Sequence, residues 1–295
     1  MKIGTRGSDL AGFQTGVIAD KIRKSLGIEI EIEVIKTKGD IVTDRPLREI
    51  EGRGYFTKEL EEALLDKRID LAVHSFKDMP SQNPEGLVVA CVSEREDPAD
   101  LLIIKKDSYK PDKGKIPLSE NAFVGTSAVR RESQIRALRD DLNVKDLRGN
   151  VPTRLRKLSE GLYDAIFLAS AGVKRLNLDL SDFEVVRLNP EQFVPSPGQG
   201  VLAVQMRIDD PGIEPIRSII HNQHSYIATS MERDIMAKFG GGCGLPLGAY
   251  AYSDKSDWHV YGFWGGIKGK PKWANVNGMD LSKLAEKLYY GLTHD

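Results

Sequence analysis

The sequence predicts an α/β protein of two lobes followed by a third, smaller α+β unit. Three observations carry that expectation. Short apolar runs alternate with helix-period segments from Lys2 to His74, the same alternation restarts near Asp100, and the texture changes after Gly212. At 295 residues the chain suits about two domains of roughly 150 residues, and it is long enough to bury a core without disulfide or metal staples.

In order, KIGT reads as a strand and LAGFQTGVIADKI as a helix. IEIEIEVI places Ile28, Ile30, Ile32 and Val34 on one face with Glu29, Glu31 and Glu33 between them, which predicts a strand near a sheet edge with one face in solvent. YFTKELEEALL then gives a helix and LAVH a strand. The second unit reads as strand LLII, a polar loop, strand AFVGTS, helix AVRRESQIRALR, a short strand at DLRG, helix VPTRLRKLSEG and strand AIFLAS. After Gly212 come an amphipathic helix over 225–239, a glycine run, alternating aromatic segments at 249–252 and 259–264, and a final helix from Leu281. The expected division is 1–95 plus 193–211 for the first lobe, 96–192 for the second and 212–295 for the third unit.

Composition narrows the function. With 40% hydrophobic and 29% charged residues, 28 Gly and 14 Pro, disorder, collagen and coiled coil are poor readings. A net charge of −1 gives no global reason to expect nucleic acid or an anionic membrane as partner. Arg6 and Asp9 stand where a signal peptide needs an apolar core, and no apolar run reaches the roughly 18 to 20 residues of a membrane span. Two unlike cysteines, Cys91 and Cys243, do not make a secreted disulfide framework, so a reducing cytoplasm is expected.

Charge is unevenly placed. From Ala122 to Arg175 eleven Lys and Arg oppose six Asp and Glu, a surplus of five, so the rest of the chain totals −6. An anionic ligand explains a basic body in an acidic molecule; a set of solvated helix faces is the plainer alternative. Position favours the ligand, because Arg130, Arg131, Arg148, Arg154 and Arg175 follow strands or open helices, where α/β folds bind carboxylate or phosphate.

Several motifs carry chemistry. In Gly4–Ser8 a strand runs into a helix, so Ser8 caps the helix and Arg6 faces the crevice. Gly52-Arg53-Gly54, before the next helix, reads either as a similar loop or as a plain turn before a surface helix. In His74-Ser75-Phe76-Lys77-Asp78-Met79-Pro80 an apolar strand ends in polar groups before a proline stop. There Asp78 is either half of an exposed Lys–Asp pair or a carboxylate that holds developing positive charge and moves protons. Cys91, within LVVACVS, reads as a buried apolar residue, whereas Cys243, within Gly240–Pro246, sits in a loop open enough for something large to attach. His221 and His224 are spaced for one helix face, but nothing accompanies them at structural-zinc spacing, so no metal is expected. Neither phosphate-loop nor dinucleotide glycine spacing appears, which argues against ATP and NAD.

The segments GTRGSDLAGFQ, GRGYFTKELEEALL, DLAVHSFKDMP, REDPADLLI, VGTSAVRRESQI, LRGNVPTRLRKLSEGLYDAIFLASAGVKRL, PSPGQGVLAV and GGGCGLPLGAY, in that order, resemble the porphobilinogen deaminase (hydroxymethylbilane synthase) family nearly end to end. The resemblance implies two α/β domains arranged as in periplasmic binding proteins, plus a small α+β domain carrying a cysteine. It implies a covalent dipyrromethane cofactor on Cys243, porphobilinogen as substrate, four head-to-tail condensations with loss of ammonia, hydrolytic release of linear hydroxymethylbilane, and a monomer. By the same resemblance Asp78 is the catalytic aspartate. Ser8, Ser75, Lys77, Asp78, Thr126, Arg130, Arg131, Arg148 and Gly149 are expected to contact the cofactor, and Arg6, Ser8, Gln14, Arg148, Arg154 and Arg175 the substrate. The chain departs from the family pattern at Ala128, Phe76 and Arg53. Two rivals remain: a non-catalytic anion-binding module, against which Cys243 argues, and a cysteine-nucleophile hydrolase, which lacks a histidine motif beside the Gly-Cys-Gly loop.

Overall fold

The computed structural model describes residues 1–37, 39, 55–242, 244–255, 257–266 and 270–294. Lys2–Arg6 (β1), Glu31–Ile35 (β2), Leu71–Ser75 (β3) and Leu87–Val92 (β4) begin the first sheet. The chain then leaves to build a second sheet from Asp100–Lys105 (β5), Phe123–Gly125 (β6), Asn143–Lys145 (β7), Ala165–Ala169 (β8) and Phe183–Arg187 (β9). It returns as Leu202–Arg207 (β10), which inserts between β3 and β4, antiparallel to both. The first sheet therefore runs β2-β1-β3-β10-β4 and the second β7-β6-β8-β5-β9. In each, three parallel strands are followed by one reversed strand that has just crossed from the other lobe.

Local signals explain the helices. Helix α1 (Asp9–Leu26) starts where the Ser8 hydroxyl accepts from the Ala11 amide at 3.2 Å and stops at Gly27 in the left-handed region. Its Ile18, Ala19 and Ile22 pack on Ile3, Leu71, Val73 and Val204, while Leu60, Ala63 and Leu64 of α2 (Lys58–Leu65) cover the other face through Ile69 and Ala72. Both faces of the first sheet are thus covered, which is why β3 reads as a continuous apolar run. Burying each such Leu or Ile is worth about 1.5–3 kcal/mol. Strand β2 lies at the sheet edge as expected, but the face assignment is corrected: Ile32 and Val34 are exposed, while Glu33 is half-buried because it pairs with Lys2 and Arg68.

In the second lobe, α3 (Val129–Leu138), α4 (Val151–Ser159) and α5 (Ser170–Arg175) flank the sheet, and Phe167 stacks on Phe193 with ring centroids 5.2 Å apart. Past α6 (Ile213–Ile220), helix α7 (Gln223–Lys238) and helix α8 (Leu281–Thr293) pack on an antiparallel meander of Leu247–Asp254 (β11), Asp257–Trp264 (β12) and Lys272–Gly278 (β13). The lobes and the small α+β unit agree with the expected fold class.

Two local expectations are corrected. The short strand at DLRG lies earlier, at Asn143–Lys145, because Phe123 to Gly125 pair with those residues; Leu147 instead bonds the Ser127 hydroxyl, and Gly149, at φ 118°, turns the chain into α4. His221 and His224 do not share a helix, since His221 ends α6 and Asn222 caps α7 by accepting from the Ser225 amide. Among the described residues no helix is long and apolar enough to cross a membrane.

Candidate active site

The carboxyl ends of β1, β3 and β8 meet the openings of α4 and α5 across a cleft of 900 Å³ between the lobes. Arg6, Ser8, Gln14, Ser75, Lys77 and Asp78 form the first-lobe wall. Arg131, Arg148, Gly149, Arg154 and Arg175 form the opposite one. Thus eleven positions expected from sequence line a single cavity.

The first-lobe wall is held from behind. Asp78 ends a 3-10 turn, Phe76–Asp78, that continues directly from β3. Its Oδ2 lies 3.9 Å from Arg6 Nη1, and the Arg6 guanidinium stands 4.1 Å from the centre of the Phe56 ring. Gln14 and Ser75 join their side chains at 2.9 Å. Lys77 Nζ donates to Gln199 Oε1 at 3.2 Å. Burial pulls the Lys77 ammonium down to about 8; the Arg131 and Arg130 charges add to that, while Asp78 and Asp100 oppose it.

Opposite, Asn150 caps α4 by accepting from the Thr153 amide at 3.0 Å. Gly149 is required at the turn before it: its φ is 118°, and a Cβ there would stand 2.7 Å from Thr153 Cγ2. The Gly149 carbonyl accepts from Arg154 Nε at 2.8 Å, and the Arg148 carbonyl from Lys157 at 3.0 Å. Burial first, and then the neighbouring Arg131 and Arg148 charges, lower Arg154 to about 10, with Asp78 opposing. Burial also lowers Arg148 and Arg175. Arg175 is oriented by a 2.8 Å hydrogen bond to the Gly200 carbonyl.

Thr126 and Arg130 are placed otherwise. Thr126 is buried, and its hydroxyl accepts from the Ala128 amide, filling in for a side-chain cap that Ala128 cannot supply to α3. Arg130 is buried behind the wall, 2.8 Å from Asp100 and donating to the Val194 carbonyl at 2.8 Å and to Ser196 at 3.1 Å. Arg131 shares the same buried Asp100 at 2.7 Å yet also reaches the cleft. These two guanidinium groups hold the Asp100 carboxyl well below its usual range despite burial. Cys243 and Gly52–Gly54 lie outside the described residues.

Sequence reasoning missed Asp100 and Gln199. Gln199 accepts from Lys77 and donates to Asp100 at 3.0 Å, so it links the two walls through the returning crossover. An amide between glycines in PSPGQG, and one carboxylate opening the apolar run DLLII, are the signals that mark them. Lys36, Phe56 and Lys157 line the cleft as well. Among the described residues no cluster of three or more His, Cys, Asp or Glu is arranged to hold a metal ion.

Two lobes meet at a cleft rich in arginine with a carboxylate on one wall, the architecture of an α/β protein with a cationic inter-lobe site. A sequence profile described as porphobilinogen deaminase, dipyromethane cofactor binding domain, matches residues 1–215. Porphobilinogen deaminase from a Roseiflexus species is 44% identical over 98% of this chain and 92% of its own length, and that of Nitratidesulfovibrio vulgaris is 46% identical over 84% and 77%. The chain belongs to the porphobilinogen deaminase family, whose cofactor is dipyrromethane. Among solved structures, an arginine-bound amino acid ABC transporter substrate-binding protein from Streptococcus pneumoniae overlaps with a TM-score of 0.41 at 14% identity, covering 100% of this chain and 96% of its own.

Proposed function

We propose that the chain is a transferase that deaminates porphobilinogen, condenses four units head to tail on a dipyrromethane primer held by Cys243, and releases linear hydroxymethylbilane by hydrolysis. The observation that carries this reading is one carboxylate, Asp78, set into a cleft whose facing wall presents Arg131, Arg148, Arg154 and Arg175.

The residues fit such a primer. Arg131 keeps a buried Nε with no hydrogen-bond partner, and Arg154 is depressed partly by neighbouring positive charge, so carboxylates in the cleft would relieve both. When bound, the primer supplies the free α-carbon to which each unit is joined. Ser8, Ser75, Lys77, Arg131, Arg148 and the Gly149 turn hold its carboxylates, and Thr126 and Arg130, set just behind the wall, are further contacts to it. Arg6, Gln14, Arg148, Arg154 and Arg175 orient the incoming acetate and propionate. Asp78 accepts hydrogen bonds from pyrrole N–H groups, stabilises the positive charge left as ammonia departs, and takes up and returns the proton of rearomatisation. Arg6 stands beside it, 3.9 Å from Oδ2.

In this reading residues 1–95 with 193–211 present Asp78, 96–192 present the arginines, and 212–295 carry the primer, all within a cytoplasmic monomer that binds neither nucleic acid nor membrane. Incubation with porphobilinogen, with ammonia release and absorbance of the acid-oxidised product as readouts, tests the proposal. Coupled appearance of ammonia and a linear tetrapyrrole is expected; tight binding without turnover would identify a non-catalytic anion-binding module instead.

A further inference from the structure

Helix α7 leads from Asn222 to Gly240 and on to the glycine loop that contains Cys243. One turn before its end, Arg233 reaches away from its own unit to the segment that carries Asp78. Its Nη1 donates to the Met79 carbonyl at 3.4 Å, its Nη2 donates to the Pro80 carbonyl, and its guanidinium stacks 4.4 Å from the centre of the buried Phe76 ring. Phe76 and Met79 are the two ends of the turn on which Lys77 and Asp78 sit, closed by the Met79 amide on the Phe76 carbonyl at 3.2 Å. From the sheet side the same turn is fixed by the Phe76 amide on the Val201 carbonyl, 3.0 Å, and by Lys77 on Gln199. A second contact joins the same parts: Gly241, at φ 70°, brings the glycine loop against Ser81 closely enough that a side chain would collide with it.

We propose that Arg233 is a positioning residue for Asp78, gripping the Phe76–Pro80 turn so that the catalytic carboxylate keeps its place relative to the helix leading to the primer-bearing cysteine. The chemistry suits arginine. A planar guanidinium stacks flat on an aromatic ring while its edge donates to two carbonyls, whereas an ammonium does one or the other. Pro80 has no amide of its own, so outward-facing carbonyls are what this end of the turn offers. Phe76, set against the usual family pattern in the sequence, then has a purpose, since its ring is the platform for the stack.

The inference rests on Asp78 being the catalytic carboxylate, so Asp78→Asn is measured beside the new variants, all as primer-loaded full-length protein. Arg233→Gln is expected to keep the primer mass and to lose about tenfold or more in kcat while KM moves by less than about threefold, because the carboxylate is displaced and the arginine wall is untouched. Arg233→Lys recovers only part of the loss. Phe76→Leu lowers kcat less and adds little to Arg233→Gln, because both remove one interaction. Normal kcat in Arg233→Gln beside an inactive Asp78→Asn would overturn the proposal while leaving the Asp78 reading intact. Losses that add in the double variant, or a KM that rises as kcat falls, would overturn it too. Full activity in Asp78→Asn would sink both. Should Arg233→Gln be insoluble, the kcat and KM of Arg233→Lys and Phe76→Leu decide.

Discussion

Arg6 Nη1 and Asp78 Oδ2 stand 3.9 Å apart, close enough for the charges to attract and too far for a direct charge-assisted hydrogen bond. The stack of Arg6 on Phe56 keeps the guanidinium beside the carboxylate rather than clamped to it.

Asp78→Asn preserves size and removes charge. The variant is expected to fold, to keep a primer supplied in preassembled form, and to lose about a hundredfold or more in turnover. Single-turnover ammonia release measures it; a rate near wild type would show that the carboxylate does not take part.

Arg130 and Arg148 should fail in different ways, although both are arginines of the same lobe. Arg130→Ala leaves buried Asp100 short of a partner and is expected to cost about 3–5 kcal/mol of stability. Arg148→Ala should leave the thermal midpoint nearly unchanged and slow primer assembly or elongation about 10- to 100-fold, the loss of a charge-assisted contact. Thermal unfolding and the distribution of product lengths, measured on both, separate a strut from a ligand contact.

Lys77 gives opposite pH signatures for binding and for stability. In primer-free protein its charge is lost as pH rises through about 8, so primer assembly from porphobilinogen should slow between pH 7 and 9, and Lys77→Arg should flatten that profile. The unfolded chain, with an ordinary lysine near 10.5, binds the extra proton between about 8 and 10.5, so the lysine's contribution makes folding stability rise with pH across that window. An assembly rate that is flat over that range in the wild type would remove Lys77 from the carboxylate-binding set.

The two cysteines should differ in labelling. Cys91 is 1% exposed and burial pushes its thiol up to about 12, so it should resist alkylation in the native protein at neutral pH. Intact mass should show an adduct of two pyrrole rings, lost in Cys243→Ser and unaffected by Cys91→Ala. A bare Cys243 in fully active protein would refute the covalent primer.

The sequence made the site legible wherever chemistry sits at the end of an element. Arg6, Ser8, Asp78 and Arg148 each follow a strand or precede a helix, and motif order alone brings them to one wall or the other. It was less informative where tertiary pairing decides. Nothing in LVVACV or LAVQMR announces that the second of these strands lies between the first and LAVHS, because more than one hundred residues, most of them the other lobe, separate β10 from β4 in the chain. Residue type and position do not show which way a guanidinium points, so the pairing of Arg130 with Asp100, hidden in an apolar strand, could not be read from the sequence.

The exchange of reversed strands bears on how the polypeptide can be cut. A fragment that stops before β10 would leave β3 and β4 with bare edges in the middle of their sheet. One that begins after β5 would leave the same gap between β8 and β9. Neither half is therefore a free-standing part, and on the ribosome the first lobe must wait, unfinished, until the second has been synthesised.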